Sequence, residues 1–201
     1  MIVLVCLEPL TPSRASRAAL DLALARAGSA QVAAVVAGGP AGSPALELAS
    51  AAATRVVHLD DPALDKADFF ATGMALAETA RHLGAGIVLA GVHSDEEGQG
   101  LVPAAIAHHL SAPIFSRVLA MGWPAGSQDL LEVTLRAGGR VGRIATPLPV
   151  VLTAEPRTSA SSARPPQTPV TVESLGLSQL GLDPSRLVPR PDLLGALVAK
   201  S

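Results

Sequence analysis

Tyrosine is absent from this 201-residue chain, and aromatic side chains make up only 2% of it. A surface that binds single-stranded nucleic acid stacks bases on aromatic rings, and there are almost none here to do so. Positive charge is not in excess either. The formal net charge of −2 argues against a phosphate-backbone binder, so no nucleic-acid partner is expected. The one cysteine, Cys6, excludes an intramolecular disulfide and a cysteine-built zinc centre, and it suits a reducing, cytoplasmic setting. No apolar run approaches the ~20 residues that cross a bilayer, so direct membrane insertion is not expected. The opening run 2–7 stops at Glu8 and has no positive residue before it, and it reads as a strand rather than a signal sequence. Charge is scarce altogether, at 16% against 49% hydrophobic residues. A surface so poor in charge points to a partner that covers part of it.

What is present is an alternation of short apolar runs with helical stretches. "IVLVCL" (2–7), "QVAAVVA" (31–37), "RVVHLD" (55–60) and "GIVLAG" (86–91) are continuous apolar runs of the kind found in strands buried on both faces. Between them lie three helical segments. The first is capped by Thr11 or Ser13 and stopped at Gly28, and the second carries Pro44 in its first turn. The third (65–84) offers Phe69, Phe70, Met74, Leu76, Ala77 and Ala80 to the core. A short helix at about 103–111 follows the fourth run, and then the rhythm changes. "PIFSRVLAM", "LLEVTLRAG", "RVGRIATP" and "LPVVLTAE" are strand-like runs separated by turns, with "AGG" (137–139) as a hairpin turn. The fold class expected is α/β, a Rossmann-like parallel sheet with helices on both faces, plus a β-hairpin extension and an extended C-terminal tail. In domain terms, residues 1–155 form a nucleotide-binding-like unit with a β-rich extension. Residues 156–201 form a Ser/Pro-rich linker and a docking tail, whose apolar pieces are too small to fold alone.

Few residues suggest catalysis. HExxH, GxSxG and GxxxxGK[ST] are all absent, and no catalytic or metal-ligating residue is assigned. His108 and His109 lie side by side on a helix, where packing or surface exposure is the simpler role. His58 ends a strand and His82 a helix. Cys6, inside a buried strand, reads as a small hydrophobe rather than a nucleophile. Arg136, Arg140 and Arg143 flank the hairpin and suit an exposed strand edge. The loop "GVHSDEEGQGLVP" (91–103) runs from strand to helix and is punctuated by glycine, yet it carries Asp95, Glu96 and Glu97. In a parallel α/β sheet, ligands bind beyond the carboxyl ends of the strands, where helix N-termini can hold phosphate without a basic side chain. Here those ends carry residues 8–16, Gly38–Gly39–Pro40 and residues 91–100, with the three acids pointing to solvent.

The order of these motifs resembles the β subunit of electron transfer flavoproteins over nearly the whole chain. "MIVLVCLEP" is similar to that family's opening strand, with Glu8 where a Lys or Arg is usual. "GIVLAGVHSDEEGQGLVP" is similar to its adenine-nucleotide loop. "LRAGGRVGRIATPLPVVLTAEPR" is similar to its hairpin and following strand, and "TPVTVESLGLSQLGLDP" to its closing segment. The resemblance implies an electron carrier subunit without catalytic residues of its own. Its partner would be an α-like subunit holding most of the redox FAD, and the β chain would bind AMP or a second FAD. A dehydrogenase or quinone reductase would be the redox partner. Carried onto matching positions, Cys6 lies near the adenine and Gly38 contacts the nucleotide. Gly91, His93, Ser94, Gly98, Gln99, Gly100 and Val102 belong to the enclosing loop, with His93 where Gln is usual. The departures are a first loop cut down to "PLTPSRAS", with Ala15 or Ser16 near a missing aromatic, Ala137 for the hairpin aspartate, and "TSASSARPPQ" in place of the segment that docks dehydrogenases. Two other readings share this core: an assembly subunit that has lost its nucleotide, and an adenine-nucleotide module of the universal-stress type.

Overall fold

The computed structural model describes residues 1–26, 30–92, 100–124, 130–154, 156 and 170–187. Its strands are β1 (Ile2–Leu7), β2 (Gln31–Ala37), β3 (Arg55–Leu59), β4 (Ala85–Gly91), β5 (Ile114–Gly122), β6 (Leu130–Ala137), β7 (Arg140–Pro147), β8 (Val150–Ala154) and β9 (Val172–Leu175). The helices are α1 (Arg14–Arg26), α2 (Pro44–Ala52), α3 (Phe69–Leu83) and α4 (Val102–Leu110), with 3-10 turns at Pro62–Lys66, Leu177–Leu180 and Pro184–Leu187. All nine strands join one sheet in the order β7-β6-β5-β8-β4-β1-β2-β3-β9. Only the β5–β6 and β6–β7 pairs are antiparallel.

Because successive side chains of a strand point to opposite faces, β1 serves two cores at once. Val3, Val5 and Leu7 pack with α1 and α2, while Leu4 and Cys6 pack with α3 and the turn at Leu177–Leu180. Helices therefore cover both faces, as the alternation of elements implied. The starts of α1, α2 and α3 are fixed by side-chain caps, each worth about 1 kcal/mol. Ser13 Oγ accepts from the Ser16 N–H at 3.1 Å, and Ser43 Oγ from the Leu46 N–H at 3.4 Å. Asp68 Oδ1 accepts from the Ala71 N–H at 2.8 Å. Gly84, in the left-handed region at φ 67°, closes α3. Where α3 crosses α4, Gly73 permits the approach: a Cβ there would stand 2.4 Å from the Ala105 Cβ.

The structure revises the sequence reading in three places. First, the segment 65–84 is not one helix. Asp61 caps a separate 3-10 turn through the Ala63 N–H at 3.0 Å, and Asp68 then starts α3 afresh. Second, Phe69 and Phe70 are not core residues; both sit half-exposed at the start of α3. Third, "LPVVLTAE" is not part of the extension. As β8 it inserts between β4 and β5, parallel to both, and every one of its residues is buried. The hairpin β6–β7 alone is the antiparallel extension, and it turns through Gly138 (φ 54°) and Gly139 (φ 78°). Of the C-terminal apolar pieces, Val172–Leu175 pairs in parallel with β3, and Leu175, Leu177 and Leu187 are buried against the α3 face. Gly28 and most of the Ser/Pro-rich segment fall outside the described residues.

Candidate functional site

The strand order β4-β1-β2 means that the chain leaves β1 to one side for β2 and later returns to its other side as β4. A crevice opens at such a reversal, because the connections diverge to opposite faces. A cavity of about 340 Å³ lies there, at the carboxyl ends of these three strands. Its floor is Cys6, Leu7 and Glu8 from β1 and its edge, Ala37–Gly38–Gly39 from β2, and Ala90–Gly91 from β4. Leu64, Asp65 and Phe69, with Gly100, Leu101 and Val102, complete the lining. Of the residues expected at a nucleotide site, Cys6, Gly38, Gly91, Gly100 and Val102 all line this cavity. His93, Ser94, Gly98 and Gln99 lie outside the described residues, as do the three acids of the loop.

Two glycines make the cavity's shape possible. A Cβ on Gly91 would stand 2.9 Å from both the backbone nitrogen and Oγ of Ser16, so only glycine lets β4 end against the start of α1. Gly39, at φ 74°, would bring a Cβ within 2.9 Å of the Pro9 Cβ. The Gly38–Gly39 turn is also held from behind. His58 Nε2 lies 3.1 Å from the Gly38 carbonyl and 3.2 Å from that of Gly39, and it donates to both. His58 is buried, so its place at a strand end is a matter of loop positioning. Nothing local signals this contact, since it joins residues twenty apart.

Two helices begin at the cavity, and their N-termini differ. At α1, the Glu8 carboxylate accepts from the Ser13 N–H at 3.2 Å, and Ser13 Oγ takes the Ser16 N–H. α1 has no acid in its first turn and begins with Arg14 and Arg17, so the carboxylate of Glu8 supplies the negative charge that this end of the dipole favours. α4 has no such partner. No side chain caps it, Leu101 stands at the cap position, and Pro103 contributes no N–H. Beside it is Ser16, 2% exposed, whose hydroxyl has no hydrogen-bond partner among the described residues. Cavity and hydroxyl together leave room for a ligand bearing an acceptor oxygen.

The other candidates separate from this site. Cys6 lines the cavity wall, but burial pushes its thiol up to about 12, so it stays protonated and inert. His108 and His109 form a ring cluster with Phe70 on the outer side of α3 and α4, with centroids 5.6 and 4.5 Å from the phenyl ring. Among the described residues no group of His, Cys, Asp and Glu gathers at metal-binding distance. Sequence reasoning reached Ser16 only as the end of the 8–16 stretch, and it missed Leu64, Asp65 and Phe69. Nothing local in those segments signals that they meet at one place.

The electron transfer flavoprotein domain family matches residues 4–180 of the chain. The chain belongs to this family. The match takes in the sheet apart from the first two residues of β1, both cavity-side helices and the C-terminal strand β9. The electron transfer flavoprotein domain thus accounts for the fold class and for a function of the electron-transfer type, with an electron-transfer partner of the same kind. No curated protein matches the sequence. None of the helices among the described residues is long and apolar enough to span a membrane.

Proposed function

We propose that the chain is the β-type subunit of an electron transfer flavoprotein, pairing with an FAD-carrying α-type subunit and holding an adenine mononucleotide in the cavity at β1, β2 and β4. The observation that carries this reading is the cavity itself, at the sheet's reversal point in a chain of this family. Its volume, about 340 Å³, is at the small end of ligand sites and suits a mononucleotide better than an enclosed dinucleotide. The residues fit such a group. Cys6, Leu7 and Leu64 offer apolar walls to a base, Gly38 and Gly91 allow close backbone approach, and the uncapped start of α4 with Ser16 suits a phosphate or ribose oxygen. FAD on the partner would supply the electron-carrying chemistry, and this chain's part is to bind, orient and exclude water.

One observation favours a second reading, an assembly subunit without nucleotide. Glu8 and Asp65 both line the cavity, while no Lys, Arg or His does so among the described residues. Two carboxylates oppose an anion placed near them, so a phosphate has only the α4 end available. The two readings part on a single experiment. The chain is purified alone and with an α-type chain of the same organism, denatured, and the released nucleotide identified by chromatography and absorbance. AMP with this chain, and FAD only when the α-type chain is present, supports the mononucleotide reading. FAD retained by this chain alone replaces AMP with a second FAD. No nucleotide in either sample leaves the assembly reading. Ser16→Ala is expected to lower nucleotide content several-fold without altering the thermal midpoint, and unchanged content would remove Ser16 from the site.

A further inference from the structure

We infer that the β7 edge of the sheet is a docking surface for an extended, acidic strand of a second, different polypeptide. This deepens the two-subunit reading above by naming where the partner binds and what its contacting segment carries, and it rests on that reading for the choice of partner.

β7 runs for eight residues, and only Thr146 within it is buried. Val141 is 58% exposed, and Ile144 and, on the neighbouring strand, Leu130 are each 40% exposed. No described strand lies beyond β7, so one side of its backbone hydrogen-bonding groups faces outward. A long edge with exposed apolar side chains templates pairing with another chain unless something blunts it. The usual devices are missing here. β6 and β7 pair over eight continuous residue pairs without a bulge, and the one proline, Pro147, stands at the strand's end. Charge is the only device present, and it is of one sign. β5, β6 and β7 carry Arg117, Arg136, Arg140 and Arg143 against Glu132 alone, in a chain whose net charge is −2.

The opposite edge shows how this sheet accepts a strand. β9 pairs in parallel with β3, and its Glu173 receives both Nε (3.1 Å) and a terminal nitrogen (2.7 Å) of Arg55. A strand added to β7 would meet Arg140 and Arg143 in the same way. Of these, Arg143 has Glu132 at a loose 3.7 Å, and Arg140 has no ion-pair partner among the described residues. A second copy of this chain is a poor occupant, because joining two β7 edges would bring the arginines of both onto one short ladder. Arg140 and Ile144 fall on one face of β7 and Val141 and Arg143 on the other, so an incoming strand with one acid and one apolar residue on each face satisfies both charges and both exposed side chains, which is strand addition with electrostatic selection of the partner.

The test uses the full chain and the α-type chain of the same organism. Backbone hydrogen exchange is followed across residues 140–147, free and in complex. Affinity is measured by calorimetry for the wild type and for the Arg140→Glu, Arg143→Glu double variant. The expected result is slowed exchange confined to this edge and at least a tenfold loss of affinity in the double variant, with a shallower salt dependence. Exchange measured on the wild type guards against a variant that merely folds poorly. A stable complex in which residues 140–147 exchange as in the free chain overturns the inference and leaves the two-subunit reading intact. Protection of this edge in a homodimer overturns the choice of occupant. Absence of any complex overturns the two-subunit reading, and the inference falls with it.

Discussion

At one end of the sheet β3 is covered by β9, a strand delivered by the chain's own C-terminal region; at the other, β7 faces outward with nothing beyond it among the described residues. The covered edge is sealed in three ways: backbone pairing, the Arg55–Glu173 ion pair, and burial of Leu175, Leu177 and Leu187 beside it. The open edge is longer, eight residues against five in β3, and presents arginines beside the exposed Val141 and Ile144. The difference teaches that the two ends do different work. The sealed end buttresses the cavity, because the turn at Pro184–Leu187 packs on the turn at Pro62–Lys66, whose Leu64 and Asp65 form the cavity wall. The open end has no described strand beyond it and is the edge assigned above to a partner.

The contrast can be broken most strongly through Leu177, which is completely buried. Leu177→Ala is expected to cost about 2–5 kcal/mol in a urea unfolding midpoint, through lost burial and the cavity left behind. Val141→Ala on the open edge is expected to cost about 0.5 kcal/mol or less by the same measurement. Equal losses at both positions would erase the distinction. A smaller effect sharpens it. In a double-mutant cycle, Arg55 and Glu173 should couple by roughly 0.5–1 kcal/mol, since both are part-exposed, and the coupling should fall in high salt. The Arg143–Glu132 pair, at 3.7 Å, is expected to show no measurable coupling.

The smallest effect belongs to neither edge and serves as a control. Burial holds the His109 imidazole below its ordinary value, and its Nε2 has no hydrogen-bond partner among the described residues. The groups around it are Phe70, His108, Arg81 and Glu78. A depressed histidine means that the unfolded chain binds the proton more readily. Its contribution is therefore intact above the unfolded value of about 6.5 and declines as pH falls through it. Unfolding midpoints at pH 7.5 and 5.5 should reveal a modest slope that His109→Gln removes, with the contrast between the two edges unchanged.

The parallel half of the fold was legible because strands buried on both faces leave continuous apolar runs, and because Ser43–Pro44 and Gly84 punctuate the helices in ways that backbone hydrogen bonding demands. The position of β8 was not legible. A five-residue apolar run between turns looks the same whether it continues a meander or slips into the centre of a sheet. Phe69 and Phe70 misled for a related reason: the start of α3, "FFATGMALA", is apolar almost all round, so periodicity does not say which side faces out. At the site, Gly38, Gly91 and Gly100 were visible because strand-to-helix loops carry a local signature. His58 and Asp65 were invisible, since their roles come from tertiary approach, and Ser16 was reached only as the end of the 8–16 stretch. Glu8 could be seen to depart from its family's pattern, but its service at the start of α1 required the structure.

The insertion of β8 between β4 and β5 also bears on how the chain comes to be folded. β4 pairs with β1 on one side, but its other side waits for residues 150–154, which follow the entire hairpin in sequence. During synthesis, Ile87, Val88 and Leu89 can be enclosed by β1 and the helices long before their second neighbour exists. The nascent chain therefore passes through a stage with a central, buried strand open along one side, and sheet closure is a late, long-range event. The hairpin between β5 and β8 sets the length of the loop that must close. Shortening it would bring that event forward, whatever it did to a partner.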